Sequence, residues 1–171
     1  MKRHFLSLTC SLFIFCVLLF RFCSDLKTFR SAETLLLPVQ IEEIKTDAFS
    51  SVAFLRYYNI IPVEEIIEEK GAVVVERLDN GKVSFVSVFT GQKLHPREFL
   101  LKYTVVPSPL VYQKRQKLNI RCAAAKFHFS KGQSLLLSNA YYAVIRVNND
   151  GEALLVGLTD GSGTQTIKSL L

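Results

Sequence analysis

Only a few side chains in this 171-residue chain could act as nucleophile, base or metal ligand, and their spacing matches no catalytic signature. Cys122 is the one thiol beyond residue 23, and a nucleophilic cysteine needs an imidazole to take its proton. His95 and His128 are the histidines available for that task, with Asp47 and Asp79 as carboxylates that could orient them. Neither histidine lies in a recognisable motif. A nucleophile elbow, a Walker loop, a dinucleotide glycine fingerprint, a CxxC zinc pair and an HExxH helix are all missing. The sequence therefore offers no catalytic residue, no metal ligand set and no cofactor. An enzyme would need a site assembled from scattered residues.

The charged clusters have simpler readings. In Pro62–Lys70, PVEEIIEEK, Val63, Ile66 and Ile67 fall on one helical face and Glu64, Glu65, Glu68 and Glu69 on the other, which predicts a short amphipathic helix with a solvated acidic side. Proline suits its first turn and Gly71 its end. Glu42 and Glu43 are adjacent and diverge. Asp79-Asn80-Gly81 and Asn148 to Gly151 lack the alternating oxygens and closing Glu of a calcium loop, so they read as turns. Lys114, Arg115, Lys117, Arg121 and Lys126 form a basic streak without a nucleic-acid module, so no nucleic acid is expected as a partner. A solvated face, or contact with anionic headgroups, accounts for the streak better.

The elements that would hold these residues are mostly strands. Thr34–Ile41, TLLLPVQI, reads as a strand that should lie at an edge or break at Pro38, because proline cannot donate to a ladder. Glu42–Asp47 reads as a charged turn. Phe49–Ile60 is rich in aromatic and β-branched residues and predicts a strand, with a short helix as the alternative. AVVVERL and KVSFVSVF flank Asp79-Asn80-Gly81, and YYAVIRV and EALLVGL flank Asn149-Asp150-Gly151. Both patterns predict hairpins, since these turn residues accept positive φ cheaply. The two echo each other at about seventy residues. Glu98–Val106 and Leu118–Phe129 predict further strands, Gln133–Asn139 a helical turn, and Thr164–Leu171 a last short strand. Cys122, inside an apolar run, is expected to be buried.

Ahead of these strands stands Phe5–Phe20, sixteen residues without a charge. As a helix it would span roughly 24 Å, or roughly 28 Å when continued to Cys23, against a bilayer core of about 30 Å. Signal cleavage wants small residues at the last and third-last positions, and Arg21, Phe22 and Arg30 spoil every nearby cut. The reading is an uncleaved membrane anchor over 1–23, a juxtamembrane linker over 24–32 and a β-rich domain over 33–171. The positive-inside count is ambiguous, but a short tail before the span and a long domain after it favour an extracytoplasmic, periplasmic domain on the inner membrane. Five of the 21 basic residues and one of the 15 acidic ones precede Glu33, leaving 16 against 14. The positive charge thus belongs to the anchor flank and is poor support for nucleic-acid binding.

In order, these segments resemble the GDYXXLXY family of membrane-anchored bacterial proteins. LLLPVQIEEIKTDAFSSVAFLRY, Leu35 to Tyr57, is similar to that family's opening strand and name motif, with Leu55 and Tyr57 on the motif's Leu and final Tyr. Ser50, Ser51 and Val52 stand where the family has Gly, Asp and Tyr. GAVVVERLDNGKVSFVSV and YYAVIRVNNDGEALLVGL resemble its central and terminal hairpins. The resemblance implies an N-terminal anchor, a mainly β domain outside the cytoplasm, no known reaction, and a multi-pass membrane protein as partner.

The sequence thus leads to a single-pass anchored protein: membrane lipid around the N-terminal helix, an antiparallel β domain with one short amphipathic helix, and a binding or assembly role. Leu55, Arg56 and Tyr57 are the candidate contact surface. A membrane-anchored hydrolase with a cryptic site, a secreted β domain after signal cleavage, and a scaffold pairing with a partner strand through an open edge near Pro38 or the C-terminus remain as alternatives.

Overall fold

Alternation of apolar and polar residues organises the domain around its first strand, β1 (Thr34–Thr46). Leu35, Leu37 and Val39 are buried, while their neighbours are half-exposed or open. The computed structural model describes residues 32–47, 51–58, 60–66, 68–106, 119–160, 162 and 166–168. The anchor expected over 1–23, the linker before Ala32 and the basic streak at 114–117 lie outside them. Glu33–Leu171 is one compact unit, mainly antiparallel β with almost no helix among the described residues. No helix among those residues is long and apolar enough to cross a membrane.

After β1 come β2 (Ser51–Tyr57), β3 (Lys70–Arg77), β4 (Val83–Val88), β5 (Glu98–Val106), β6 (Asn119–Arg121), β7 (Lys126–Phe129), the helical turn α1 (Ser134–Leu137), β8 (Tyr142–Val147), β9 (Ala153–Thr159) and β10 (Thr166–Lys168). The sheet order is β10-β9-β8-β1-β2-β6-β5-β3-β4, with β7 also on β2. It curls back on itself: the Leu36 amide donates to the Gly81 carbonyl at 2.9 Å and Leu36 bridges Lys82, so the β3–β4 turn meets β1. One core lies inside, built from Leu35 and Leu37, Leu55 and Tyr57, Val73 and Val75, Leu101, Phe127, Phe129, Ile145 and Leu158. Burying each such side chain contributes roughly 1.5–3 kcal/mol.

Four expectations need correction. At Pro38 the first strand is neither an edge nor broken. β8 pairs with residues 34–38 on one side, while Gly81 and then β2 occupy the other. The Pro38 carbonyl accepts from Tyr58, so the missing amide falls where that side changes from hairpin tip to β2, and no ladder bond is lost there. The strand then runs through the expected turn at Glu42–Asp47, with a bulge between Ile41 and Glu43 that lets it keep pairing with β2.

The amphipathic helix over Pro62–Lys70 is reduced to one 3-10 turn, Val63–Glu65. Glu64 with Glu68, and Glu65 with Glu69, would be like charges at i,i+4, which destabilise an isolated helix. A span this short cannot offset its nucleation cost. The single strand expected over Leu118–Phe129 is two, β6 and β7, both antiparallel to β2. The interruption at 122–125 is tied to β2 by Ala125, whose carbonyl accepts from Leu55 at 2.8 Å, and by Ala124, whose carbonyl accepts the Tyr57 hydroxyl at 2.9 Å.

The two expected hairpins form, and they match in detail. In each, a residue before the turn (Leu78, Asn148) accepts at its carbonyl from the glycine three places on, at 2.9 and 3.0 Å. Its amide in turn donates to the carbonyl of the fourth residue on (Lys82, Glu152), at 2.8 and 3.1 Å. Gly81 and Gly151 have φ of 79° and 81°. This is the three-residue loop ending in a left-handed residue, for which glycine has no Cβ penalty. Each hairpin also shifts register once, between Val74 and Val75 and between Val144 and Ile145.

Candidate functional site

The residues expected to carry function are spread over several elements. Leu55 and Tyr57 alternate inward on β2 and are 5% and 3% exposed, so they belong to the core. Burial, with the Cys122 thiol nearby, raises the Tyr57 phenol above its usual pKa. Arg56 points the other way, paired with Glu42, and its Nε is buried without a partner. Cys122 is buried, as expected, and burial pushes its thiol up to about 12. That is the profile of a packed thiol rather than a nucleophile.

His128 sits between the buried Phe127 and Phe129 and so faces the opposite side of β7. The His95 amide donates to Glu98 at 2.8 Å, Asp79 pairs with Arg97 at 3.1 Å, and Asp47 is exposed at the end of β1. The structure therefore does not bring these five residues together. No group of three or more His, Cys, Asp or Glu positioned for a metal occurs among the described residues.

One strand away from Leu55–Tyr57, β1 carries a more open feature. Beyond residue 39, β1 pairs only with β2, so Gln40–Thr46 has no strand partner on its other side among the described residues. A groove of about 530 Å³ runs there between β1 and α1, lined by Ile41, Ile44, Tyr58, Leu137, Ala140 and Tyr141. Ile44, Tyr58 and Tyr141 are 45%, 39% and 55% exposed. Single exposed apolar side chains are ordinary, but three around one groove make a patch of the kind that marks an interaction site. Arg56 adjoins it through its cross-strand neighbour Gln40. The charged reading of Glu42–Asp47 as a turn concealed this edge; the signal available in the sequence was the spacing of Ile41 and Ile44 past Pro38.

A second cleft, of about 650 Å³, lies where β3, β5 and β6 meet the β8–β9 turn. Lys70, Thr104, Arg121, Lys102 and Glu152 line it, and the Lys102 ammonium donates to Glu152 at 2.8 Å. Tyr103 lies across Gly71, with its phenol raised above the usual range by burial and by the Glu68 carboxylate.

No curated protein and no solved structure matches the chain significantly. The sequence profile of the GDYXXLXY protein matches residues 36–158, from β1 into β9. That span holds both hairpins and most of the core described above, and the chain belongs to the GDYXXLXY protein family.

Proposed function

We propose that this chain is a membrane-anchored protein that works by binding or assembly, with its β domain outside the cytoplasm and the open edge of β1 as the surface that takes a partner. The observation that carries the reading is the unpartnered stretch Gln40–Thr46 beside the exposed Ile44, Tyr58 and Tyr141. An open edge offers backbone donors and acceptors to an extended segment, and apolar pockets alongside select its alternate side chains. The apolar Phe5–Phe20 segment supports the anchor, and a multi-pass membrane protein with an extended external loop is a partner of the right chemistry. Natural edges are usually blunted by bulges and charges. Here the bulge at Glu42 and the exposed Lys45 guard the edge against random pairing, which suits a specific partner.

The test uses the full chain in native membranes with a C-terminal tag and a photo-crosslinking residue at Ile44 or, as control, at the exposed Val86 of β4. The tag should be cut by protease in spheroplasts, and position 44 alone should give one discrete adduct, lost in Thr46→Pro, which removes an amide on the open side. A protein found in the soluble extract, or equal crosslinking at 44 and 86, would overturn the reading.

A further inference from the structure

The cleft between β3, β5 and β6 carries charges that the fold does not use. Lys70 pairs with Thr104, and Thr104 pairs with Arg121, so the three stand side by side on one face of three adjacent strands. Lys102, two residues before Thr104, shares that face. Strands lie about 4.8 Å apart, which puts the Lys70 and Arg121 backbones roughly 10 Å apart with the Thr104 hydroxyl between them. Both side chains are exposed, and neither forms an ion pair among the described residues. The one acid lining the cleft, Glu152, is taken by Lys102. Like charges gathered on one sheet face cost stability, and no ion pair among the described residues offsets that cost at Lys70 or Arg121.

Beneath this row the sheet is closed: Tyr103 alternates to the face opposite Lys102 and Thr104, is 4% exposed, and lays its ring over Gly71.

We propose that this cleft is a binding site for a phosphate-type oxyanion, held between the Arg121 guanidinium and the Lys70 ammonium over the Thr104 hydroxyl. Guanidinium suits two oxygens of such a group, and lysine serves as a point charge beside it. The cleft's volume admits a phosphomonoester or a phospholipid headgroup. This site is separate from the β1 edge, and its test does not depend on that edge.

The full chain in nonionic detergent at low salt is titrated calorimetrically with inorganic phosphate and, separately, with a short-chain phosphatidylglycerol. Saturable binding should weaken about tenfold or more in Arg121→Gln and in Lys70→Gln, as expected for losing a charge-assisted contact. Thr104→Val should weaken it less. Lys126→Gln, a cation outside the cleft over the Phe54 ring, should leave it unchanged. Binding of phosphate identifies a free phosphate ligand, and binding of the lipid alone identifies a headgroup. Absence of saturable binding in both titrations, or binding that survives both charge-removing variants while their melting temperatures stay unchanged, would overturn the proposal.

Discussion

The β3–β4 hairpin and the β8–β9 hairpin correspond residue for residue at an offset of 70, from Gly81 and Gly151 in the turns to the register shifts in the arms. Each docks its tip on the strand beside the other. Gly81 accepts from Leu36 of β1, which flanks β8; Gly151 accepts at 2.9 Å from Lys102 of β5, which flanks β3. The match is offset in one respect. Lys102 pairs with Ala72, whose counterpart at the offset is Tyr142, and Tyr142 pairs with Pro38. Proline has no amide to donate, so the first tip is bonded two residues earlier, at Leu36. One local turn chemistry thus serves both hairpins, while the partner strand decides how closely each tip can approach.

The largest test of that difference is glycine substitution at the two tips. Gly151→Ala places a Cβ 2.9 Å from Leu100 Cγ and 3.2 Å from the Leu100 carbonyl oxygen, on top of an unfavourable positive φ. It should cost about 2–4 kcal/mol in urea unfolding. Gly81→Ala meets only Leu36 at 3.6 Å and should cost about 1 kcal/mol, from the φ alone. Equal costs would mean the two tips are seated alike.

Next is the pair Gly157 and Ser87, which correspond at the same offset. β10 pairs beyond β9, and a Cβ on Gly157 would lie 2.6 Å from the Ile167 carbonyl oxygen, whereas β4 has no strand beyond it among the described residues. Gly157→Ser should cost about 1–3 kcal/mol and free β10 amides to hydrogen exchange. Ser87→Gly should cost only about 0.5–1 kcal/mol.

The turn asparagines differ less. Asn148 Oδ1 accepts from the amides of Asp150 and Glu152, while Asn80 Oδ1 accepts only from Lys82. Asn148→Ala should lower stability by about 1–2 kcal/mol and Asn80→Ala by about half that, read from thermal melts.

The smallest effect is expected at the exposed ion pair Lys102–Glu152. Its hydrogen bond to Glu152 holds the Lys102 ammonium protonated above its usual range. That contribution is complete below the unfolded lysine's pKa and is lost as pH rises through the folded value. Lys102→Gln should therefore flatten the alkaline limb of stability against pH, an effect that added salt should weaken.

Local structure was legible in the residues alone. Asp-Asn-Gly and Asn-Asp-Gly specify their turns because positive φ is cheap there, and the alternation in AVVVERL, KVSFVSV and YYAVIRV sorts inward from outward residues once a turn sets the register. The burial of Cys122 and the β5 strand were legible for the same reason. Tertiary structure decided what depends on neighbours distant in the chain. Pro38 sits inside the sheet because the strand beside it changes there, Glu42–Thr46 becomes strand because β2 is present to pair with it, and 118–129 divides where the Tyr57 hydroxyl reaches the Ala124 carbonyl. Leu55 and Tyr57 match the family motif in sequence, but strand alternation buries both and leaves Arg56 outside. The row of Lys70, Thr104 and Arg121 is invisible in one dimension, since strand pairing alone brings together residues that are 34 and 17 positions apart.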